Sequence, residues 1–223
     1  MRVLIIGSGP NAVEAKDWDA GAFDAIVAIN NGWQIRDDFT HWIHPEDFPP
    51  DRAPSPGAYI EVTAQDYVPV QNELGGFVYA GGTMAFTAGY WVLGALRPSE
   101  MAFIGCDMVY AKSGDTHFYG KGEADPLRDD ITLQNLEAKA ARLMCLASAR
   151  GCGCINLSSD ESRLVFDRAQ PARVVAEDHF AEALAAEAAL GYMAEDGRYW
   201  LEEEKFDARK LAEIDALWLK AIA

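Results

Sequence analysis

Short apolar runs, each ending in a polar or glycine-rich turn, recur along this chain. The runs are residues 2–6, 24–30, 39–44, 58–62, 101–105 and 153–157. Helical patterns separate several of them, most clearly at residues 83–96 and 131–150. Short strands that are apolar on both sides and alternate with helices are typical of a parallel sheet covered on both faces. The sequence therefore predicts an α/β, Rossmann-like fold with a mostly parallel sheet and helices on both faces.

The composition of the chain changes near residue 174. Residues 1–173 hold all the apolar runs, whereas residues 174–223 hold two Ala- and Glu-rich amphipathic patterns, at 176–194 and 205–222. We therefore expect a Rossmann-like domain of residues 1–173 and a helical C-terminal extension of residues 174–223. The extension could cap the sheet, close over a site or form the interface of a homo-oligomer.

The charge of the chain limits its partners. It has 35 acidic and 19 basic residues, and a formal net charge of −16. This excess of negative charge disfavours nucleic acids and anionic membranes, because their phosphates need cationic partners. A small anionic ligand is still allowed, since a few backbone N–H groups can hold one.

The pattern lacks the marks of a secreted or membrane protein. A predicted strand starts at Arg2, which leaves no room for a signal peptide. No apolar run approaches the ~20 residues that a membrane span needs. The four cysteines lack the paired spacing of a zinc site. We therefore expect a cytoplasmic protein with reduced thiols.

The turn after the first run, Gly7-Ser8-Gly9-Pro10-Asn11-Ala12, matches the G-x-G-x-x-A pattern of dinucleotide sites. The second run, however, ends in Asn30-Asn31, where a dinucleotide site has an acid for the ribose. Pro10 also removes one backbone donor from the turn. These differences disfavour NAD or FAD. The turn is either a tight connection without a ligand or presents its N–H groups to another anion.

Polar residues follow four of the predicted strands. They lie at positions 7–11, 30–31, 107–117 and 158–159. In parallel sheets, ligands bind beyond the carboxyl ends of the strands. We therefore expect the functional site at this edge of the sheet.

Four motifs follow one another over residues 1–165. They are Gly7-Ser8-Gly9-Pro10-Asn11, Gly81-Gly82-Thr83, Gly105-Cys106-Asp107-Met108-Val109-Tyr110 and Thr116-His117-Phe118. In order and spacing they resemble two related groups. One is the bacterial family 42 sialyltransferases, which use CMP-sialic acid. The other is the family of archaeal 6-hydroxymethylpterin diphosphokinase and the flagellin-modifying motility-associated factors. Asn11 stands where these families usually have Ser, and Phe118 replaces the Tyr beside the sialyltransferase histidine.

This resemblance implies a nucleotide bound above the sheet. Gly82 and Thr83 begin a predicted helix, and the free N–H groups of a helix start also suit an anion on physical grounds. The two serines after the last strand have an alternative role as a helix cap. The residues assigned to the nucleotide are Gly7, Gly9, Pro10, Asn11, Asn30, Asn31, Gly82, Thr83, Ser158 and Ser159.

The resemblance also implies a catalytic group in the polar loop after residue 107. His117 would act as general base, because an imidazole with a pKa of about 6.5 can take a proton from an acceptor hydroxyl. Asp107 or Asp115 would orient it, and Tyr110 and Tyr119 would bind the leaving phosphate. The alternatives are a surface histidine and ordinary packing of the tyrosines.

Two other patterns suggest a metal but do not predict a site. His41 and His44 are three residues apart, so in a strand their side chains point to opposite faces. Asp17-Trp18-Asp19 reads as D-x-D but lies far from a strand end. We therefore expect no metal site.

Three functions stay open at this point. The first is transfer of a sugar, a nonulosonic acid, from a CMP-activated donor without cofactor or metal. The second is a diphosphokinase of the 6-hydroxymethylpterin type, which would need magnesium for its ATP. The third is a non-catalytic nucleotide-binding protein on the same scaffold.

Overall fold

A single parallel sheet organises the protein. The computed structural model describes residues 1–110, 115–121, 129–171 and 173–223. Within them six strands, all parallel, lie in the order β4-β3-β2-β1-β5-β6. This confirms the predicted α/β, Rossmann-like fold. The strands are β1 (Arg2–Ile6), β2 (Ala25–Ile29), β3 (His41–Ile43), β4 (Ile60–Val62), β5 (Glu100–Ile104) and β6 (Gly153–Asn156).

The described residues form six α-helices. Four lie between β4 and β6, and two lie in the C-terminal extension. The predicted helix at 131–150 is in fact two elements, because Asp130 caps a single 3-10 turn, Ile131–Leu133, and Asn135 caps the helix after it. The helix that starts at Met84 passes into a π-turn, Val92–Leu96, before Pro98. The helices are α1 (Ala64–Glu73), α2 (Phe77–Ala80), α3 (Met84–Trp91), α4 (Leu136–Ser148), α5 (Glu177–Leu190) and α6 (Ala208–Lys220).

The two faces of the sheet are covered differently. Alternate residues of β1 point to opposite faces, with Val3 and Ile5 in a large apolar cluster and Leu4 and Ile6 in a smaller one. All six α-helices contribute side chains to the large cluster. The smaller cluster is covered by 3-10 segments, which include Pro10–Asp17 and Asn30–Ile35.

The C-terminal helices pack directly against α4. The Arg142 guanidinium on α4 donates to both carboxylate oxygens of Glu187 on α5, at 2.7 and 2.8 Å. Lys139 Nζ lies 2.7 Å from Asp215 Oδ1 on α6, and both side chains are buried. Two buried ion pairs therefore hold α5 and α6 in place. The division of the chain at residue 174 stays a prediction.

None of the helices in the described part of the chain is long and apolar enough to cross a lipid bilayer.

Candidate functional site

A cavity of about 840 Å³ opens beyond the carboxyl ends of β1, β2, β3 and β5. Residues 7–11 follow β1, Asn30 follows β2, and residues 105–110 follow β5 in its wall. Residues 115–117 and 119, and residues 196–200 of the C-terminal extension, complete much of the lining. The cavity therefore lies where ligands bind in open parallel sheets.

The two glycines of the first turn allow close packing of β1 against β5. Gly7 N–H donates to the carbonyl of Ile104, and Gly9 N–H donates to the carbonyl of Gly105, both at 2.8 Å. A Cβ on Gly7 would overlap the Gly105 carbonyl oxygen, and a Cβ on Gly9 would lie 2.9 Å from it. Any larger residue at these positions would force the two strand ends apart.

Two backbone N–H groups of the same turn are available to a ligand. Gly7 and Gly9 use their N–H groups within the fold, and Pro10 has none. Among the described residues, no acceptor takes a hydrogen bond from the N–H of Ser8 or Asn11. Both residues line the cavity. The turn therefore suits an anion, with two donors available instead of four.

Asn11 holds together a group of polar side chains that we name the Asn11 cluster: Asn11, Asp107, Asn156, Ser158 and Asp160. Asn11 Nδ2 lies 2.6 Å from Asp107 Oδ2, 2.7 Å from Ser158 Oγ and 3.1 Å from Asp160 Oδ2. Asn156 Nδ2 donates to Asp107 Oδ1 at 3.2 Å. Two amides thus fix the Asp107 carboxylate at the cavity wall, and Ser158 contacts Asn11 without lining the cavity itself.

His117 lies among aromatic rings in the same cavity. Its ring centroid is 5.0 Å from that of Tyr119, in a stacked arrangement, and 6.3 Å from that of Tyr110. Its Nδ1 lies 2.9 Å from Thr116 Oγ1. The next residue, Phe118, donates its N–H to the carbonyl of Ser8 at 3.1 Å, which attaches this segment to the first turn. The structure thus brings His117, Tyr110, Tyr119 and Asp107 into one cavity.

Gly82 and Thr83 line the cavity at the start of α3. The Gly82 N–H donates to Thr132 Oγ1 at 2.9 Å, so a contact within the protein uses this predicted anion donor. Thr83 Oγ1 caps α3 by accepting from the N–H of Phe86 at 3.3 Å. No hydrogen bond in the described residues uses the N–H groups of Met84 and Ala85, which also line the cavity.

Two residues after strand ends adopt left-handed backbone conformations. Asn30 after β2 has φ 52° and Met108 near the end of β5 has φ 53°, and both line the cavity. Such a conformation costs little for Asn but strains Met, and strain of this kind clusters at functional sites. The side-chain oxygens of Asn30 and Asn11 are buried, and no group among the described residues donates a hydrogen bond to them. A ligand with hydroxyl or amine groups would satisfy them.

Three of the predicted nucleotide residues lie outside the lining. Asn31 is buried in the 3-10 segment after β2, and Ser158 lies behind Asn11. Ser159 is exposed.

The two metal-like patterns stay apart from the cavity. His41 packs on Trp91, with ring centroids 5.3 Å apart, whereas His44 Nε2 lies 3.0 Å from Glu61 Oε1. Asp19 of the D-x-D pattern caps a 3-10 turn by accepting from the N–H of Gly21. Within the described ranges, no three His, Cys, Asp or Glu side chains gather as a metal site.

The charge of the lining is strongly negative. Among the described lining residues, Arg198 is the one permanent cation, and it forms an ion pair with Glu46 at 3.1 Å. Burial, together with Glu46 and Asp47, raises the pKa of Tyr67 to about 12, so its phenol stays protonated. Burial and Asp107 raise the pKa of the Cys106 thiol, which removes it as a nucleophile. The lining carboxylates are Glu46, Asp47, Asp107, Asp115, Asp129, Asp130, Asp160, Glu161, Asp196 and Glu203.

Several lining residues carry no motif that sequence reasoning could use. Arg198, Tyr199 and Trp200 belong to the segment between the two C-terminal helices. Tyr199 donates its hydroxyl to Asp130 Oδ2 at 2.7 Å, which joins the C-terminal extension to the cavity wall. These residues match no known site motif, so their place in the cavity wall follows only from the fold.

Comparisons with known proteins do not assign a function to this chain. No family model, no curated protein and no solved structure matches the chain.

Proposed function

We propose that the protein is a transferase that binds a nucleotide substrate in the cavity and transfers a group from it to a hydroxyl. In its specific form the transferred group is a sugar, a nonulosonic acid, and the donor is CMP-activated. The observation that carries the proposal is the position of His117. It lies beside Tyr110 and Tyr119 in the strand-end cavity, and its segment is bonded to the anion-suited turn.

The turn and the start of α3 would bind the nucleotide. The N–H groups of Ser8 and Asn11 suit the phosphate, as do those of Met84 and Ala85. The buried side-chain oxygen of Asn30 would accept a hydrogen bond from a ribose hydroxyl or from the base amine. These contacts would orient the donor with its reactive carbon toward His117.

The chemistry then requires one proton transfer and one displacement. The acceptor oxygen attacks the anomeric carbon, and the bond from that carbon to the phosphate oxygen breaks. CMP leaves with the bonding electrons, and the imidazole of His117 takes the hydroxyl proton. The hydroxyls of Tyr110 and Tyr119 would donate hydrogen bonds to the leaving phosphate.

The acidic lining favours a second candidate. Ten carboxylates around one arginine would attract a nucleotide whose phosphates carry Mg²⁺, since carboxylates are preferred ligands of that ion. In this case the acceptor hydroxyl attacks the β-phosphorus of ATP and AMP leaves. His117 would again take the proton.

Substitution of His117 tests the catalytic assignment. We expect His117→Asn to lower CMP release from CMP-sialic acid by about 100-fold or more, the usual range for a lost general base. Affinity for CMP should change little, because His117 acts in the chemical step. The matched control is His179→Asn, at an exposed position of α5. Wild-type turnover by His117→Asn would contradict the assignment.

A binding panel separates the candidates. Purified protein is heated with CMP, CDP or ATP, each with and without Mg²⁺, since a bound ligand raises the unfolding midpoint. A shift with CMP that is independent of Mg²⁺ supports sugar transfer. A shift with ATP only in the presence of Mg²⁺, with AMP released, supports the diphosphokinase. Binding without turnover of either donor would leave a nucleotide-binding protein.

A further inference from the structure

Residues 196–200, which we name the C-terminal wall, close one side of the cavity. Tyr199 is 2 % exposed, donates to Asp130 and stacks on Phe77 of α2 with ring centroids 6.4 Å apart. Asn72 of α1 donates its side-chain amide to the carbonyl of Glu195, directly before the wall, at 2.7 Å. The wall is therefore fixed to the helices under the cavity and holds its side chains in defined places.

Trp200 presents a large aromatic surface to solvent at the cavity. It is 56 % exposed, although it lines the cavity and directly follows the buried Tyr199. The Tyr199 ring meets it edge-on, with centroids 5.4 Å apart and an interplanar angle of 83°. The two rings are thus nearly perpendicular, and more than half of the Trp200 surface is left for a ligand. Such a surface suits a planar ring, because flat heteroaromatic rings stack on tryptophan regardless of their substituents.

Arg198 lies two residues earlier in the same wall. Its guanidinium reaches across to Glu46, in the loop after β3, and the two side chains are 48 % and 58 % exposed. An ion pair this exposed contributes little to stability, so Arg198 can leave Glu46 for another anionic partner at little cost in free energy. A phosphate oxygen pair matches the planar guanidinium better than a single carboxylate oxygen does.

We propose that Arg198 and Trp200 form the nucleotide-binding part of the cavity on the C-terminal side. Trp200 stacks on the nucleobase, and Arg198 leaves Glu46 to bind the same phosphate that the backbone N–H groups of the cavity hold. This inference rests on the proposed function, and it assigns to the C-terminal extension a direct part in substrate recognition.

Titrations with CMP and with cytidine test the two roles separately. We expect Trp200→Ala to weaken binding of both ligands by about tenfold or more, and Trp200→Phe to restore most of it, because stacking needs only an aromatic face. Arg198→Gln should weaken CMP by about tenfold but cytidine by less than twofold, since only CMP carries the phosphate. Quenching of tryptophan fluorescence by CMP should be much smaller in Trp200→Phe.

Two control variants lie outside the cavity. Leu201→Ala removes the next exposed side chain, and Arg209→Gln removes an exposed cation from α6. Both should bind CMP as the wild type does. If Trp200→Ala and Arg198→Gln also bind CMP normally, the inference is overturned and the proposed function stands. If the wild type binds neither CMP nor ATP with Mg²⁺, the proposed function fails and this inference fails with it.

Discussion

Two polar clusters of this protein differ in how completely their charges are compensated. The first, which we name the Arg142 cluster, consists of Arg142, Glu187, Tyr90 and Trp218. Arg142 donates to both Glu187 oxygens, to the Tyr90 hydroxyl at 2.7 Å and to the carbonyl of Leu74 at 2.8 Å. Trp218 Nε1 donates to the same Glu187 carboxylate at 2.8 Å. Every charge in this cluster has a buried partner of opposite sign.

The Asn11 cluster lacks that balance. Its two carboxylates, Asp107 and Asp160, share the amide of Asn11, and no cationic side chain of the described residues forms an ion pair with either. Within the part of the chain that the structure describes, no group donates a hydrogen bond to the side-chain oxygen of Asn11. An ion pair therefore balances the charges where helices are held on the sheet. In the Asn11 cluster amide groups hold the carboxylates instead, and the guanidinium of Arg168 binds the backbone carbonyls of Ser158 and Asp160. This difference is what the proposed function leads us to expect, with the first cluster serving stability and the second facing a ligand.

The largest loss of stability is expected from a substitution that breaks the ion pair in the Arg142 cluster. Arg142→Met leaves the Glu187 carboxylate buried without a cation, which costs about 3–5 kcal/mol in comparable cases. Urea unfolding should show this loss as a lower midpoint. The double variant Arg142→Met, Glu187→Leu should recover much of it, because no buried charge is then left unpaired.

Arg163→Gln is the matched control for that experiment. Its ion pair with Glu137 is 47 % and 36 % exposed, so its loss should cost at most about 1 kcal/mol. If Arg142→Met lowers the free energy of unfolding no more than Arg163→Gln does, the buried ion pair is not what holds α5 in place.

A smaller effect should appear as a pH dependence of stability. Burial lowers the pKa of His41, which packs on Trp91. Between that lowered pKa and about 6.5, the unfolded chain binds a proton that the folded protein does not, so stability rises with pH across this window. The slope from one such group is at most about 1.4 kcal/mol per pH unit.

Unfolding free energies at pH 5 and pH 7.5 measure this slope. We expect His41→Gln to show a shallower rise with pH than the wild type, whereas His179→Gln should leave the slope unchanged because His179 is exposed. An unchanged slope in His41→Gln would show that other groups set the pH dependence.

The strand-end side of the cavity could be predicted because its residues are also strand terminators. Glycine, asparagine and aspartate end apolar runs, and the topology of a parallel sheet brings such ends together. The sequence could not reveal why Gly7 and Gly9 are glycine. Their pattern suggests phosphate binding, but contact with Gly105 already requires them to be small.

The opposite side of the cavity could not be predicted. Arg198 and Trp200 reach it only because α5 and α6 fold back on α4, and those long-range contacts leave no local pattern. Helix α1 was also missed, since Pro69 interrupts its sequence pattern, although a capping box of Thr63 and Asp66 stabilises its start. Asn156 looked like an ordinary strand residue, yet it orients Asp107.

The smallest effect on stability is expected at Asp107, and it is the sharpest test of the contrast between the clusters. Asp107→Asn keeps an oxygen that can accept from Asn11 or Asn156 and removes one of two neighbouring negative charges. Its free energy of unfolding should therefore lie within about 1 kcal/mol of the wild-type value. Turnover of the nucleotide donor should fall about tenfold or more, because the changed group lines the reacting cavity. A loss of stability as large as that of Arg142→Met would instead make the Asn11 cluster a structural element, and its missing charge compensation would then not mark a binding site.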